Sequence, residues 1–585
     1  MSAVAEAREP SARYLEALHP PLLRQFDLLA SAQGGVARLR QLILELAVQG
    51  KLVRQDSHDE PAAGLLARAR GVRGQLVATG KLRRSAVVPP IGEEEQVREL
   101  PPGWSWARIG DVGQVVGGGT PKSDVADYWA EAGVPWLTPA DLYDYRHKRI
   151  SRGRRDISAE GLASSSAQLL PPGTVLFSSR APIGYVAIAG LALATNQGFK
   201  SCVPFVDGLS DYLFCHLKQL APRIDESASG TTFKEISGAD FAAVVLSLPP
   251  IAEQARIVAR VDELMLLCDA LETQGRLEAE QHARLLGALL GTLTESATRE
   301  QLAANWQRVA EHFDLLLDRP ETVDALEQTI LQLAVRGLLV PQDPVEEPAA
   351  DLLHRIRAHR EQQVKAGLAK RDKLQPKVAK EDFPFELPLG WEWIRFDELI
   401  EPSKPISYGV LVPGPEVTGG VPFVRIADLS LTDPPQKPEK SISAEVDAQY
   451  LRTRLEGGEI LMGVVGSIGK LGVAPASWAG ANIARAICRV VPVGLVSREF
   501  VLLLLESGFM QSNFSGDTRT LAQPTLNVGL IRSSPTPLPP LAEQGRIVSR
   551  VAELRRLCAD LRQRLVASAA TQTHLADALV EQALA

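Results

Sequence analysis

The sequence predicts an α+β fold: two globular α/β domains separated by long antiparallel coiled-coil helices, with a pseudo-two-fold internal repeat. The prediction depends on a long repeat, on helical segments with a seven-residue apolar period, and on strand-like blocks between them. Three motifs occur twice: FDLL at 26 and 313, LPxGW around Trp104 and Trp391, and LPPxAEQxRIV from Leu248 and Leu538. The first two are offset by 287 residues (313 − 26 and 391 − 104), and the third by 290 (538 − 248). Solenoid repeats have periods of about 20–50 residues, so this offset indicates two similar halves.

Each half ends in a predicted long helix with one apolar stripe. The stripe recurs at alternating steps of four and three residues, which is the 3.5-residue period of a coiled-coil seam. The seam residues are Ile257, Val261, Leu264, Cys268 and Leu271 in the first copy, and Ile547, Val551, Leu554, Cys558, Leu561 and Leu565 in the second. Paired prolines at 249–250 and 539–540 precede the helices, where proline does not remove a needed N–H. We expect the copies to pair as a rigid spacer of about 40 residues, roughly 60 Å long; the alternative is two ordinary core helices.

Two blocks between the helical parts have a sequence pattern typical of β-strands. Short apolar runs such as GTVLFSS, YVAIAGLAL, EILMGVV and AICRVVPV are bounded by glycine and proline. The predicted order is an N-terminal extension (1–25), a helical arm (26–100), a mixed domain (101–247), a spacer helix (248–310), a second arm with a linker (311–387), a second mixed domain (388–537) and a second spacer helix (538–585). Charge and proline near 81–97 and 359–385 indicate connecting linkers.

The composition is that of an ordinary globular chain. Of 585 residues, 45% are hydrophobic and 23% charged, and neither a secretory signal nor a membrane-length apolar run is evident. We therefore expect a cytoplasmic protein without membrane contact. The five cysteines (202, 215, 268, 488 and 558) have no zinc-ligand spacing and fit a reducing compartment, with Cys268 and Cys558 as small buried apolar residues. The net charge of −7 does not itself favour a nucleic-acid binder, so any DNA contact has to come from local basic residues or partner subunits.

Several ordered motifs resemble the specificity subunits of type I restriction-modification systems. In the first block these are GGGTPKSDVADYWAEAGVPWLTPADL, LPPGTVLFSSRAPIGYVAI, ATNQGF and SGTTFKEIS. In the second, ISYGVLVPGPEV, GVPFVRIADL and GEILMGVVGSIGKLGVAP are similar to another recognition-domain variant. The LPPxAEQxRIV helices resemble the family's spacers, and the LxLAVxGxLVxQD arms also occur in many members. The resemblance covers about residues 26–570.

The resemblance implies a DNA-reading subunit without a catalytic site. Each recognition domain is expected to read one half of an asymmetric, bipartite site in double-stranded DNA, and the helical spacer to fix the gap. By the same resemblance, two methyltransferase (M) subunits are expected to dock on the helical parts and methylate adenine N6. Restriction and translocation (R) subunits are expected to join and cleave unmodified DNA. The implied cofactors, S-adenosylmethionine, ATP and Mg, belong to those partners, and none is expected in this chain.

Candidate DNA contacts combine cations for phosphates with Arg, Lys, Asn or Gln for base edges. The clearest cluster is YRHKRISRGRR, six cations within ten residues, which suits a loop against the sugar-phosphate backbone or, alternatively, a solvated surface loop. The candidates in the first block are Lys122, Arg146, Lys148, Arg149, Arg152, Arg154, Arg155, Ser179, Arg180, Asn196, Gln197, Thr231, Thr232 and Lys234. Those in the second are Lys404, Tyr408, Arg425, Lys470, Arg485 and Arg519.

Enzyme motifs are weak. Gly117-Gly118-Gly119-Thr120-Pro121 lacks the G-K-[ST] of a phosphate loop, and Asp433-Pro434-Pro435-Gln436 lacks the aromatic residue that a methyltransferase stacks on a flipped base. His147 and His216 are interpreted as loop or surface residues and not as metal ligands. Two alternatives stay open: a fused enzyme with an unrecognised catalytic domain, and a coiled-coil scaffold that does not bind DNA.

Overall fold

A computed structural model describes residues 29–82, 90–180, 182–228, 234–371, 375–515 and 525–584, apart from 31 and 33. It divides into two compact units, one of Met1–Glu278 with Ala569–Ala585 and one of Ala279–Ser568. Each unit contains an arm, a mixed domain and parts of both long helices. The two halves therefore repeat in structure as they do in sequence. No helix in the described part of the chain is long and apolar enough to cross a membrane.

The helices follow the same order in both halves. In the first half they are α1 (Gly35–Gln49), α2 (Ala62–Ala78), α3 (Ile109–Val112), α4 (Ala159–Ala163), α5 (Ser210–Ser227), α6 (Gly238–Ala243) and α7 (Ile251–Thr294). After the connecting helices α8 (Arg299–Glu311) and α9 (Phe313–Leu316), the second half has α10 (Pro320–Val335), α11 (Ala349–Lys365), α12 (Ala444–Ala448), α13 (Arg498–Glu506), α14 (Gly508–Ser515), α15 (Val528–Ser533) and α16 (Leu541–Leu584).

Domain 1 (101–247) is built on two sheets. Its strands are β1 (Ser105–Arg108), β2 (Gly113–Gly117), β3 (Trp129–Ala130), β4 (Val134–Leu137), β5 (Arg149–Ile150), β6 (Arg155–Ile157), β7 (Val175–Ser179), β8 (Ile183–Ala189), β9 (Ala194–Thr195), β10 (Lys200–Pro204) and β11 (Val245–Leu248). One sheet has the order β2-β10-β7-β8-β5 and the other β3-β6-β4-β9. The predicted runs GTVLFSS and YVAIAGLAL contain β7 and β8, which pair antiparallel in the larger sheet.

Domain 2 (388–537) repeats this plan with shorter strands. They are β12 (Glu392–Arg395), β13 (Ser407–Tyr408), β14 (Val421–Val424), β15 (Lys440–Ile442), β16 (Ile460–Gly463), β17 (Leu471–Val473), β18 (Asn482–Ile483), β19 (Ile487–Val490) and β20 (Pro535–Leu538). The sheets have the orders β13-β19-β16-β17 and β15-β14-β18. In both domains one inner strand of the smaller sheet, β4 or β14, pairs antiparallel with one neighbour and parallel with the other.

Each domain begins and ends on one two-stranded ribbon. β1 pairs antiparallel with β11, and β12 pairs antiparallel with β20. Ser105 lies opposite Leu248, and Glu392 lies opposite Leu538. The chain therefore enters and leaves each domain at neighbouring positions, directly before a long helix.

The long helices α7 and α16 have 44 residues each. Each predicted seam is covered by an arm helix together with the far end of the other long helix: Ala576 and Ala583 of α16 join the first cluster, and Leu286 and Leu290 of α7 join the second. The first seam joins an apolar cluster with α1 residues such as Leu39 and Ile43, and the second joins a cluster with α10 residues such as Leu326 and Ile330. Seven seam residues are buried and four lie at the margins: Leu271, Leu554, Leu561 and Leu565. The two long helices thus share both clusters, as expected of a paired spacer, and an arm helix, which the sequence did not predict there, joins each cluster.

Three further predictions concern the second linker, His216 and the cysteines. The predicted linker 359–385 begins inside α11, whose Arg357 and Arg360 pair with Glu398 and Asp397 and hold the helix on domain 2. His216 is buried in α5, so its interpretation as a loop or surface residue is wrong; burial lowers its pKa to about 3. All five cysteines are free and buried, as expected for Cys268 and Cys558.

Candidate DNA interface

Three loops of domain 1 meet at a close backbone crossing. The N–H of Gly119 donates to the carbonyl of Thr195 (2.8 Å), and the N–H of Asn196 donates to the carbonyl of Leu137 (2.9 Å). A Cβ on Gly118 would lie 2.0 Å from the carbonyl oxygen of Asn196, so the crossing requires glycine there. The hydroxyl of Thr120 donates to the side-chain oxygen of Gln197, which is exposed. The crossing thus brings the predicted residues Asn196 and Gln197 against the glycine-rich loop that also carries the exposed Lys122.

Domain 2 has the same crossing with other side chains. The N–H of Val410 donates to the carbonyl of Ile483 (2.8 Å), and the N–H of Ala484 donates to the carbonyl of Val424 (2.9 Å). A Cβ on Gly409 would lie 1.9 Å from the carbonyl oxygen of Ile483. The exposed Arg485 occupies the position of Gln197, one residue beyond the crossing.

The predicted basic cluster of domain 1 separates into two groups. Two cations hold the loop to helices: Lys148 pairs with Asp262 of α7 (2.6 Å), and Arg149 pairs with Asp211 of α5 (3.0 Å). Arg146 lies 3.8 Å from Asp144 and 3.9 Å from Glu272. These carboxylates neutralise much of the positive charge that the sequence alone suggested.

The second group lines a cavity of about 490 Å³ beside β3 and β6. Arg155 stacks on the ring of Trp129 at 3.7 Å, and Arg152 pairs with Asp156 at 2.9 Å. The side chain of Arg154 is 80% exposed. A stacked guanidinium keeps its donors available at the ring edge, so Arg152, Arg154 and Arg155 form the best anion-binding surface of the predicted cluster.

The remaining candidates of domain 1 have mixed positions. Ser179 is fully buried, so its side chain is not available to DNA; the sequence did not reveal that β7 is covered along its whole length. Arg180 and Lys200 share Glu235, at 3.8 and 3.2 Å. Lys234 donates to the carbonyl of Asp225 at 3.1 Å. Thr231 and Thr232 lie outside the described residues.

In domain 2 most candidates also have partners within the domain. Lys404 pairs with Glu456 (2.6 Å), Arg425 pairs with Glu439 (3.0 Å), and Lys470 donates to the carbonyl of Ile426 (2.9 Å). Tyr408 donates to the carbonyl of Leu526 (3.0 Å) and accepts from the N–H of Val528 (2.8 Å), so its hydroxyl is structural. Arg519 lies outside the described residues.

A buried polar joint, not predicted from the sequence, connects three motifs of the first half that occur again in the second: the LxLAVxGxLVxQD arm, LPxGW and LPPxAEQxRIV. Trp104 of LPxGW donates its indole N–H to Glu253 (3.0 Å), and Gln55 of the arm donates to the same carboxylate (3.2 Å). Gly50 ends α1 against Trp104 with a φ of 72°, the same value as Gly337 in the other half, and a Cβ on Gly50 would lie 3.0 Å from the Trp104 ring. Burial raises the pKa of Glu253, and the hydrogen bonds from Trp104 and Gln55 oppose part of that rise.

The second half contains the same joint. Trp391 donates to Glu543 (2.9 Å), and Gln342 donates to it (3.1 Å). Burial again raises the pKa of Glu543, and the hydrogen bonds from Trp391 and Gln342 lower it by a smaller amount. The signal that could have revealed the joints is in the sequence: each polar member lies inside a motif that occurs twice. In each unit, the joint fixes the start of the long helix to the base of the domain.

The comparisons with known proteins agree on one family. A family model described as the type I restriction modification DNA specificity domain matches residues 101–281 and 391–568, together more than half of the chain. The chain belongs to the type I restriction specificity subunits. The EcoAI specificity subunit of Escherichia coli is 33% identical over 94% of this chain and 94% of its own, and the EcoEI subunit of the same organism is 32% identical with the same coverage. A solved HsdS subunit from Thermoanaerobacter tengcongensis is 19% identical, covering 83% of this chain and 98% of its own, with a TM-score of 0.35.

As a specificity subunit, the chain recognises DNA sequence within a restriction-modification system. Both matched ranges start at the LPxGW strand and end inside a long helix. They therefore contain the backbone crossing together with the tryptophan and glutamate of each joint. The predicted fold class, two α+β domains in a repeated chain with long helices, is confirmed. Among the described residues, no cluster of three or more His, Cys, Asp or Glu side chains could hold a metal ion.

Proposed function

We propose that domains 1 and 2 each read one half of an asymmetric, bipartite site in double-stranded DNA, with the long helices setting the gap. The observation that carries this proposal is the shared backbone crossing with unlike side chains on it. Gln197 in domain 1 corresponds to Arg485 in domain 2, and Thr138 corresponds to Arg425, because Leu137 and Val424 occupy the same place in the crossing. Equivalent positions with different hydrogen-bonding groups suit two different half-sites.

The hydrogen-bonding groups of these side chains indicate which base each domain would read. Glutamine pairs through two hydrogen bonds with adenine, whereas arginine pairs with guanine O6 and N7. We therefore expect Gln197 to read an adenine in one half-site and Arg485 a guanine in the other. Arg152, Arg154 and Arg155 serve as phosphate contacts that hold domain 1 on the duplex.

Partner subunits supply the chemistry in this proposal. Two methyltransferase subunits dock on the helical parts and use S-adenosylmethionine, and restriction subunits add ATP- and Mg-dependent translocation and cleavage. This chain contributes recognition and assembly and no catalytic step. We place the complex in the cytoplasm.

The test maps methylated adenines in cells that express the whole system with wild-type subunit, Gln197→Ala or Arg485→Ala. We expect an asymmetric bipartite motif for the wild type, relaxed by each substitution in a different half. Loss of a bidentate contact should cost about 1–3 kcal/mol of discrimination at one base pair. Arg550→Ala, on an exposed face of α16 where Arg550 pairs with Glu553, is the matched control.

A symmetric palindromic motif, or relaxation of the same half by both variants, would contradict two unlike reading domains. Methylation or cleavage by the purified chain alone would support the fused-enzyme alternative. An assembled complex without sequence preference would support the scaffold alternative.

A further inference from the structure

The two arms present opposite charges to their long helices. In the first half, Arg40 of α1 pairs with Asp269 and Glu272 of α7, at 2.5 and 2.9 Å. In the second half the cation is on the long helix: Arg562 of α16 pairs with Asp324 and Glu327 of α10, at 2.6 and 3.2 Å. Both contacts join an arm helix to the long helix of the same half.

These pairs occupy equivalent positions with the charges exchanged. The arm offset relates Arg40 to Glu327 (40 + 287), and the long-helix offset relates Glu272 to Arg562 (272 + 290). The remaining acidic residue of each triad corresponds to an alanine in the other half. Asp269 corresponds to Ala559 (269 + 290), and Asp324 corresponds to Ala37 (324 − 287). One triad is therefore the charge inverse of the other.

The apolar contacts between arm and long helix do not distinguish the halves. On the arms, Leu39, Ile43 and Leu46 correspond to Leu326, Ile330 and Leu333. On the long helices, Ile257, Val261, Leu264 and Cys268 correspond to Ile547, Val551, Leu554 and Cys558. A long helix from the wrong half would offer an arm almost the same apolar surface.

We propose that the inverted triads form a pairing code that keeps each arm on the seam segment of its own half (257–272 for α1, 547–565 for α10) and rejects the other seam segment, whether from the same chain or from a second copy. With the wrong helix, α1 would place Arg40 against Arg562 with no carboxylate from either triad. The opposite mismatch would place Asp324 and Glu327 against Asp269 and Glu272, four carboxylates without a cation. An exposed ion pair contributes little on its own, but a like-charge mismatch in the competing state adds to the difference that sets selectivity.

The code has a consequence for assembly. An arm of one copy on the opposite seam segment of a second copy would join domain 1 of one chain to domain 2 of another, and the charge mismatch disfavours this crossed pairing. The triads thus keep each domain with the arm and seam segment of its own half without contacting DNA. This inference concerns arm pairing and does not depend on which bases the domains read.

The test inverts the first triad in the full-length chain. The variant Arg40→Glu with Asp269→Ala and Glu272→Arg gives both halves the polarity of the second, so each triad is attractive but no longer selective. Two differently tagged copies are unfolded, mixed and refolded together, and heterodimers are captured through one tag and counted through the other. We expect the captured fraction to rise at least about fivefold over wild type, the ratio that about 1 kcal/mol of lost selectivity produces.

The mirror variant, Arg562→Glu with Asp324→Ala and Glu327→Arg, gives both halves the polarity of the first and should behave alike. It provides an independent measurement if one variant refolds poorly. The control exchanges an ion pair within α16, Arg550→Glu with Glu553→Arg, and should leave the captured fraction at the wild-type level. An unchanged fraction in both triple variants, or an equal rise in the control, would overturn the pairing code.

Discussion

The buried joint of the second half permits a test at Glu543, a residue outside both candidate DNA surfaces. The substitution Glu543→Ala removes the acceptor of the Trp391 indole N–H (2.9 Å). Gln342 also donates to this carboxylate, but it retains the carbonyl of Gly337 at 2.6 Å. The indole is therefore the group that loses its partner, at a site where Glu543 is 1% exposed.

The magnitude follows from that one unsatisfied donor and the space left by the side chain. A buried donor without a partner costs about 1–3 kcal/mol. We expect Glu543→Ala to lower the free energy of unfolding of its unit by about 2–3 kcal/mol, which corresponds to a fall in Tm of roughly 4–12 °C. Scanning calorimetry of the full-length chain measures this change, and Glu253→Ala repeats the measurement in the first half.

The isosteric variant Glu543→Gln should behave differently, because it resembles the protonated acid. Burial raises the folded-state pKa of Glu543 above its ordinary value of 4.5, and the hydrogen bonds from Trp391 and Gln342 oppose this only in part. The stability from this shift is fully present below pH 4.5 and is lost as pH rises through the folded-state pKa. Relative to wild type, the Tm of Glu543→Gln should therefore rise between pH 4 and pH 7.

Two results would refute this reasoning. One is a Tm for Glu543→Ala within 1–2 °C of wild type (on the order of the scatter for surface substitutions). The other is a Glu543→Gln variant that loses stability relative to wild type as pH rises. The double variant Trp391→Phe with Glu543→Gln removes donor and charge together, and it should cost less than the sum of the single changes.

Three further predictions concern the DNA surfaces and one other buried carboxylate. Gly118→Ala should weaken DNA binding by the assembled complex about tenfold in a gel-shift titration, because its Cβ meets a backbone oxygen, whereas Gly117→Ala, with open space around its Cβ, should not. Arg155→Ala should reduce the slope of log affinity against log salt concentration by about 0.9. Lys148→Ala is the control, because Lys148 pairs with Asp262 within the chain, and it should leave the slope unchanged. Equal slopes for the two variants would argue against a phosphate contact at Arg155. Burial raises the pKa of Asp397, but the hydrogen bonds from Arg532 and Arg360 outweigh it and lower the pKa below 3.8, so its stabilisation is present above pH 3.8 and lost as pH falls through the folded value. Asp397→Asn should cost about 2 kcal/mol at pH 7 by urea titration, and a cost independent of pH down to 3 would contradict the ion-pair assignment.

The spacing of apolar residues predicted those helices and strands whose formation depends on residues close together in sequence. The 3.5-residue spacing predicted both long helices, but the first ends at Thr294 and not at 310 as expected; the bounded apolar runs predicted β7, β8, β16 and β19. The spacing did not predict that an arm helix would cover each seam together with the far end of the other long helix. The seam of α7 is equally compatible with a second long helix and with α1, because an apolar stripe does not specify what covers it.

The candidate interface was predicted less completely, for a related reason. Cations are visible in sequence, but the carboxylates that pair with them are not adjacent: Asp211 lies 62 residues after Arg149, and Asp262 lies 114 residues after Lys148. Trp104 and Glu253 of the joint are 149 residues apart. Such contacts are decided by the tertiary fold, so a basic run in sequence overstated the charge available to DNA.

The final stretch of α16 has a consequence for how the protein is made. Residues 569–584 belong to the same compact unit as the first arm, where Asp577 pairs with Arg38 and the carbonyl of Leu584 accepts from Lys51 at 2.7 Å. Ala576 and Ala583 fill the apolar cluster around α1. During synthesis, this part of the core around α1 cannot form before residues 569–584 have been made. A chain that stops before residue 569 therefore lacks the side chains that complete the α1 cluster.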